Sequence, residues 1–113
     1  MNFKVNETVQ KLQGSYYTPK WIADFVARWI RAYHGNTVLE PSCGDGVFFQ
    51  ALADMTDYDL NILGFDTDKE AISQCKERHL SSLIHLDVKC ENFLDWAIMN
   101  FKNEKPVLFD AVV

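Results

Sequence analysis

The sequence is short of the features that mark secreted, membrane-spanning and metal-binding chains. Its three cysteines, Cys43, Cys75 and Cys90, include no Cys-x-x-Cys pair, which favours a reducing compartment over a disulfide framework. No run approaches the roughly 18 apolar residues of a transmembrane helix, and the polar start lacks the apolar stretch of a secretory signal. The histidine and cysteine spacings match no zinc pattern. We therefore expect a cytoplasmic protein with no membrane association and no metal site.

Positive charge is also scarce. Lysine and arginine number 11 against 16 acidic residues, which gives a formal net charge of −5 over 113 residues. The basic residues are scattered, with no two adjacent, whereas binding to nucleic-acid phosphates needs clustered Lys and Arg. These residues by themselves are therefore not expected to bind nucleic acid strongly. The hydrophobic content of 48% is that of a globular chain and excludes disorder.

The clearest helical pattern covers residues 19–34. Thr18 and Pro19 are typical of an N-cap followed by a first helical residue, and Gly35-Asn36 is a stop signal. Six large apolar residues recur at helical spacing and predict a stripe that faces the core: Ile22, Phe25, Val26, Trp29, Ile30 and Tyr33.

Beyond this helix, short apolar runs alternate with helical segments. Strands are predicted at residues 37–40, 60–65, 82–86 and 106–113. Helices are predicted at residues 47–55, 69–79 and 93–101, the second of them capped by Asp68. Their inward residues are predicted to be Ala71, Ile72, Cys75 and Trp96, with Ile98 or Met99. This alternation predicts an α/β fold with a parallel sheet flanked by helices and right-handed crossovers.

Ligands of open parallel sheets bind beyond the carboxyl ends of the strands, so the residues just after each strand are informative. Gly44 and Gly46 allow a backbone turn to approach a ligand closely. Asp66 lies 20 residues after Gly46, where a carboxylate takes the hydroxyls of a ribose. Asn92 and Phe93 offer an amide for a purine edge and a ring for its face. Together these positions predict a nucleoside site.

The chemistry of the first turn indicates which nucleoside is bound. Phe49 stands at the third glycine position of a dinucleotide-binding loop, and the Glu40 carboxylate would repel a pyrophosphate. Glu40 instead suits the ammonium group of S-adenosylmethionine. Two alternatives stay open: a Rossmann-like nucleotide or NAD-binding domain, and a non-catalytic ligand-binding module or purely structural α/β piece.

At this point the sequence resembles a known family. The runs that carry the resemblance are GSYYTP from Gly14, LEPSCGDG from Leu39, GFDTD from Gly64, ENFL from Glu91 and FDAVV from Phe109. They are similar to the amino-terminal half of adenine-specific DNA methyltransferases of restriction-modification systems. The resemblance implies a Rossmann-like methyltransferase fold over residues 14–113, truncated after the fourth strand, behind a lead-in of residues 1–13.

The resemblance implies which residues surround S-adenosylmethionine: Tyr17, Thr18, Glu40, Ser42, Cys43, Gly44, Gly46, Asp66, Thr67, Asn92 and Phe93. Tyr17 and Thr18 would contact the methionine moiety, and Thr67 would lie beside the adenine. Phe93 would pack on the adenine ring, and Asn92 would accept a hydrogen bond from its amine. The family usually has Asp at that last place, so the bond would lack charge assistance.

The resemblance also implies what lies outside these residues. In the family, FDAVV leads into an Asn-Pro-Pro-Tyr loop that holds the flipped adenine, and the sequence stops before it at Val113. We therefore expect a cofactor-binding fragment that is inactive alone and carries no catalytic residue, from an enzyme that contacts DNA through other regions. An apolar strand cut open at the sheet edge favours a homo-oligomer through residues 109–113.

Overall fold

The computed structural model describes residues 18–113, in which helices and strands alternate as predicted. The elements in chain order are α1 (Lys20–Ala32), β1 (Thr37–Glu40), α2 (Val47–Met55), β2 (Leu60–Phe65), α3 (Lys69–Glu77), β3 (Ile84–Lys89), α4 (Phe93–Lys102) and β4 (Ala111–Val112). The α/β class and the parallel sheet are confirmed. Residues 1–13, the predicted lead-in segment, and Tyr17 lie outside the described residues.

The four strands form one sheet in the order β3-β2-β1-β4, and all neighbouring strands are parallel. Glu40 of β1 is opposite Gly64 of β2, and Phe65 of β2 is opposite Lys89 of β3. The carboxyl ends of three strands therefore meet at one edge of the sheet. The strand order reverses at β1, and ligands of open parallel sheets bind at such a switch point.

The core lies between the helices and the sheet. Its largest fully buried side chains come from α2, α3 and the two central strands: Phe49, Phe65, Leu52, Leu60, Val38 and Cys75. Ala71 and Ile72 of α3 are buried as predicted. Asp68 caps α3 by accepting a hydrogen bond from the Glu70 N–H at 2.9 Å, which confirms its predicted role.

The prediction that the large apolar stripe of α1 faces the core is wrong for half of its members. Phe25, Trp29 and Tyr33 are 67%, 61% and 76% exposed. The buried face is instead formed by the small residues Ala23 and Ala27 together with Ile30. Because alanines allow two helix backbones to approach closely, α1 packs on α2 through them and turns its rings outward.

The ends of α1 also differ from the sequence prediction. Pro19 occupies the N-cap position in place of Thr18, and no side chain caps the helix there. At the other end the left-handed residue is His34, with φ of 52°, and not Gly35. Gly35 is buried, and its carbonyl accepts a hydrogen bond from the Tyr58 hydroxyl at 2.9 Å.

Strand β3 covers Ile84–Lys89, two residues later than the predicted start at residue 82 and three beyond the predicted end at 86. Residues 82 and 83 form a turn in which the Ser81 hydroxyl accepts a hydrogen bond from the Leu83 N–H. The later end brings Asn92 and Phe93 closer to the carboxyl end of the strand than the sequence indicated.

Strand β4 is only Ala111–Val112, whereas the sequence predicted a strand over residues 106–113. Pairing with β1 begins where the Asp110 N–H donates to the Thr37 carbonyl at 2.9 Å, because β1 itself begins at Thr37. Upstream, the Asn100 side chain of α4 bonds both the N–H and the carbonyl of Val107. The backbone at Val107 is therefore hydrogen-bonded to α4 and not to the sheet.

The prediction that Ile98 or Met99 faces inward is wrong as well. The two side chains are 54% and 69% exposed, and α4 has no buried residue. Trp96 is turned towards the sheet as predicted, and the centroid of its ring lies 5.0 Å from that of Phe65. Among residues 18–113, no helix is long and apolar enough to cross a membrane.

Candidate functional site

The turn between β1 and α2 brings the backbone to the carboxyl edge of the sheet. Gly44 and Gly46 have φ of 53° and 89°, in the left-handed region that favours glycine. Gly46 is the N-cap of α2, and its N–H donates to the Cys43 carbonyl at 3.0 Å. The two glycines that the sequence singled out are therefore both required by the conformation of this turn.

Asp66 joins this turn to the end of β2. Its Oδ2 accepts from the Gly44 N–H at 2.9 Å, and its Oδ1 accepts from the Asp68 N–H at 2.9 Å. The Cys43 N–H donates to the Phe65 carbonyl at 2.8 Å beside them. An ionised carboxylate has about four acceptor positions, so about two remain for the hydroxyls of a ligand. The structure thus brings the predicted residues Asp66 and Gly44 into direct contact.

Glu40, the last residue of β1, is a buried carboxyl group, only 4% exposed. Its Oε1 accepts from the Ser42 N–H at 3.0 Å, but no polar atom of residues 18–113 bonds its Oε2. Burial raises the pKa of Glu40 to about 7; the Ser42 N–H opposes this shift, and nearby Asp66 adds to it. A cationic group bound here would satisfy the free oxygen and restore the charged form.

The adenine end of the predicted site is aromatic. The Phe93 ring lies 5.6 Å from that of the buried Phe65 and 6.2 Å from that of Trp96, and it stays half-buried at the start of α4. Asn92 is the N-cap of that helix, and its Oδ1 accepts from the Leu94 N–H at 2.8 Å. The amide is thereby fixed in orientation, with one acceptor position of its oxygen still free.

The remaining predicted residues are less tied to the site. Ser42 and Thr67 are exposed, and the Thr67 carbonyl accepts from the Cys90 thiol at 3.7 Å. Thr18 is half-buried just before α1. Tyr17 is not among the described residues.

Two residues at the end of α3 support the turn: Cys75, which the sequence predicted only as an inward residue and which is buried, and Arg78, which it did not single out. The Cys75 thiol donates to the Gly44 carbonyl at 3.0 Å, and the Arg78 Nε donates to the Asp45 carbonyl at 2.7 Å. A Cβ placed on Gly46 would lie 3.1 Å from both Cys75 Sγ and Arg78 Nε. Because Cys75 and Arg78 are three residues apart, the sequence could have predicted that they lie on one face of α3. It did not indicate that this face contacts the turn after β1.

The contact between α2 and β2 bears on the choice of ligand. In dinucleotide-binding folds the third glycine of the loop lets the helix pack close to the strand. Here that position is Phe49, which is fully buried. The glycine that allows close packing is Gly64 of β2, which leaves room for the Phe49 ring. A Cβ on Gly64 would lie 2.6 Å from the tip of the Phe49 ring.

A family model described as N-6 DNA methylase matches residues 3–107. The chain belongs to the N-6 DNA methylase family. This membership confirms the resemblance drawn from the motifs. No curated protein sequence matches the chain significantly.

Solved structures agree on the fold of this family member. A protein assigned as a caffeoyl-CoA O-methyltransferase from Staphylococcus aureus is 15% identical, with a TM-score of 0.61 over 99% of this chain and 52% of that one. A protein assigned as an O-methyltransferase from Klebsiella pneumoniae is 14% identical, with a TM-score of 0.64 over 86% and 44%. The plantazolicin methyltransferase BamL, in complex with SAH, is 22% identical, with a TM-score of 0.55 over 96% and 38%. The chain spans about half the length of these structures or less, and its fold is that of methyltransferases.

Proposed function

We propose that the chain is the S-adenosylmethionine-binding part of a DNA adenine methyltransferase. The parent enzyme would act in the cytoplasm, in a restriction-modification system, and would transfer the methyl group of the cofactor to the exocyclic amine of adenine in DNA. The cofactor supplies the activated methyl group, and the residues described above bind and orient it. Family membership and the methyltransferase fold support this proposal.

The observation that carries the proposal is the buried Glu40 carboxyl with its free Oε2. Burying a polar group without a partner is unfavourable unless a ligand provides one. S-adenosylmethionine carries an ammonium group and no phosphate, so it fits a turn that begins with a carboxylate. A pyrophosphate at the same place would face the negative charges of Glu40 and Asp66.

The rest of the site supports the same orientation of ligand. The free acceptor positions of Asp66 suit the two hydroxyls of a ribose. Farther along the edge, the Phe93 ring suits an adenine face, and the free acceptor position of Asn92 suits its amine. The order ammonium, ribose, adenine follows the order of strands β1, β2 and β3.

Calorimetric titration of the purified 113-residue chain tests the proposal. We expect S-adenosylmethionine or S-adenosylhomocysteine to bind more tightly than NAD. Glu40→Gln should weaken binding by about 10- to 100-fold, because it removes a charge-assisted hydrogen bond to the ammonium group. Glu104→Gln, at an exposed position, is the matched control and should leave the affinity unchanged.

Two results would contradict the proposal: tighter binding of NAD, or equal affinities of the wild type and Glu40→Gln. Asp66→Ala is a less specific test of the site than Glu40→Gln. It would also remove the hydrogen bonds from Gly44 and Asp68 that shape the turn.

We propose further that these 113 residues do not transfer methyl groups by themselves. They contain no Asn-Pro-Pro-Tyr run to position the target amine. Positioning accounts for about 7–11 kcal/mol of a barrier in favourable cases. Incubation with DNA and cofactor labelled in the methyl group should give no labelled adenine above a control without protein; labelled adenine would contradict the proposal.

DNA is the proposed partner of the parent enzyme, which would bind it through residues outside these 113.

Self-association through the β4 side of the sheet is a separate proposal. Within the described part of the chain, β4 pairs only with β1, and nearby Leu108 and Val112 are 77% and 63% exposed. Edge strands with apolar neighbours are prone to pair. Light scattering should show a mass that rises with concentration, and Val112→Lys should lower it. A monomer with residues 107–113 protected from hydrogen exchange would contradict self-association.

A further inference from the structure

Two cysteines that the proposed function does not use as thiols lie next to each other under the cofactor turn. Cys43 Sγ and Cys75 Sγ are 3.9 Å apart, and the two residues are only 4% and 1% exposed. They are separated by 31 residues of sequence and come from different elements, the turn after β1 and helix α3. A disulfide needs a sulfur separation of about 2.05 Å, so the atoms need to approach by about 2 Å.

Two positive groups lie close to the Cys75 sulfur: the N-terminus of α2 and the side chain of Arg78. The Cys75 sulfur lies against Gly46, the N-cap of α2. A Cβ added to Gly46 would be 3.1 Å from the Cys75 Sγ and 3.1 Å from the Arg78 Nε. Positive helix ends and guanidinium groups favour a thiolate. The hydrogen bond with Cys43 lowers the pKa of the Cys75 thiol, and Arg78 adds to this more weakly, against the opposing effects of burial and of Asp45. The same hydrogen bond and burial raise the pKa of Cys43.

The cleft beside α3, lined in part by Cys75, is where we expect a small oxidant to approach. This cleft of about 500 Å³ is lined by Cys75, Arg78, Leu80, Val88 and neighbouring residues. It has room for a molecule as small as hydrogen peroxide. Cys43 lies behind Cys75, on the side of the cofactor turn, in the place of a resolving thiol.

We propose that Cys43 and Cys75 form a reversible disulfide that lowers the affinity of the site for its cofactor. A hydroperoxide oxidises the Cys75 thiolate to a sulfenic acid and is itself reduced, releasing water or an alcohol. The Cys43 thiol then attacks the Cys75 sulfur, the S–S bond forms, and the sulfenic oxygen leaves as water. A thiol reductant reverses the reaction by exchange.

The disulfide acts on the site through the turn that carries Cys43. It removes the Cys75 hydrogen bond to the Gly44 carbonyl and draws the turn towards α3. Gly44 also donates to Asp66, so the displacement reaches the carboxylate that is proposed to hold the ribose. The effect on affinity rests on the proposed function, whereas formation of the disulfide does not.

The test treats the reduced chain with hydrogen peroxide, alkylates it under denaturing conditions and measures its mass. Cys90→Ser provides the background, because Cys90 is exposed and would react on its own. We expect the mass of the chain to be about 2 Da lower than that of the reduced chain, with no alkyl group added to either cysteine. Proteolysis should then give one peptide in which Cys43 is linked to Cys75. The same linked peptide is expected from the wild type. Cofactor affinity should fall by at least about tenfold on oxidation and return on reduction.

Cys75→Ser in the Cys90→Ser background is the matched control, since it keeps a donor to Gly44 and has no second thiol. It should form no disulfide, and peroxide should not change its affinity. A mass that rises by the mass of one or more oxygen atoms, with no linked peptide, would show that the cysteines are oxidised without forming a disulfide and would contradict the proposal. A disulfide without a change in affinity would overturn its regulatory role. Failure of the reduced chain to bind cofactor would contradict the proposed function, while the mass measurement still decides the disulfide.

Discussion

The turn at the ends of β1 and β2 and the surface formed by α4 and β4 are opposite kinds of region. In the turn, several polar atoms are hydrogen-bonded within the described residues, although the buried Glu40 Oε2 is not. The supporting side chains, among them Phe49 and Cys75, are almost fully buried. On the surface of α4, Leu94, Met99 and Phe101 are more than 60% exposed, and no residue of the helix is buried. Buried packing is therefore concentrated around the turn and not on the surface of α4.

The largest expected contrast comes from removing one phenylalanine from each region. Phe49→Ala should lower the free energy of unfolding by about 3–5 kcal/mol, because it empties a fully buried position. Phe101→Ala removes a side chain that is 88% exposed and should change it by no more than about 0.5 kcal/mol. Urea unfolding of both variants measures the difference. Comparable losses would show that α4 is covered in solution.

The pH dependence of stability tests the buried carboxyl of the turn. Because the pKa of Glu40 is about 7 in the folded chain and 4.5 ordinarily, folding takes up a proton between these values. Its contribution to stability is complete below the lower pKa and is lost as the pH rises through about 7, by about 3 kcal/mol in total.

Glu40→Gln isolates this contribution from those of the other titrating groups. Its free energy of unfolding should match that of the wild type at about pH 4 and exceed it by about 3 kcal/mol at about pH 8. The same substitution is expected to weaken cofactor binding, so stability and binding should move in opposite directions. Equal stabilities at the higher pH would mean that Glu40 is ionised and solvated.

Two glycines sharpen the comparison further. Gly64→Ala should lower the free energy of unfolding by about 1–3 kcal/mol, because the new Cβ would lie 2.6 Å from the buried Phe49 ring. Gly35→Ala is the control, since its Cβ would meet the nearest atom at 3.5 Å, an ordinary contact. Thermal unfolding should separate the two, and equal effects would contradict the tight packing of α2 on β2.

The smallest expected effect concerns the start of α4. Asn92→Asp keeps an oxygen that caps the helix, so stability should hold. It adds charge assistance to the proposed hydrogen bond with the adenine amine and should tighten cofactor binding by about 1 kcal/mol. Titration of the variant beside the wild type measures this. Unchanged affinity would place the adenine away from residue 92.

The parts that could be predicted from the sequence depend on local rules. Gly44 and Gly46 need a left-handed backbone, Asp68 is a cap by residue type, and Asp66 follows a strand at a known spacing. The existence of β3 could also be predicted, because Ile84, Leu86 and Val88 alternate with polar residues. Its start was predicted too early because Leu83, just before the strand, is apolar as well.

The parts that could not be predicted depend on how distant segments meet. The contacts of Cys75 and Arg78 with the turn follow from the crossover of α3, which no local pattern encodes. Apolar residues cover too much of α1 for periodicity to show that Ala23 and Ala27, and not the rings, face α2. Strand β4 is short because β1, its partner, begins only at Thr37, which is opposite Asp110. Farther upstream, the Asn100 side chain bonds the Val107 backbone in place of a strand.

The position of β4 next to β1 has a consequence for the order of folding. Asp110 accepts hydrogen bonds from the N–H groups of Asn36 and Thr37, contacts that span more than 70 residues of chain. Contacts of such large sequence separation form slowly, and a nascent chain emerges from its amino-terminal end. Strand β1 pairs with β2 early, but its other edge stays open until residue 110 has been synthesised. One of the two central strands of the sheet, β1, is therefore among the last to be fully paired.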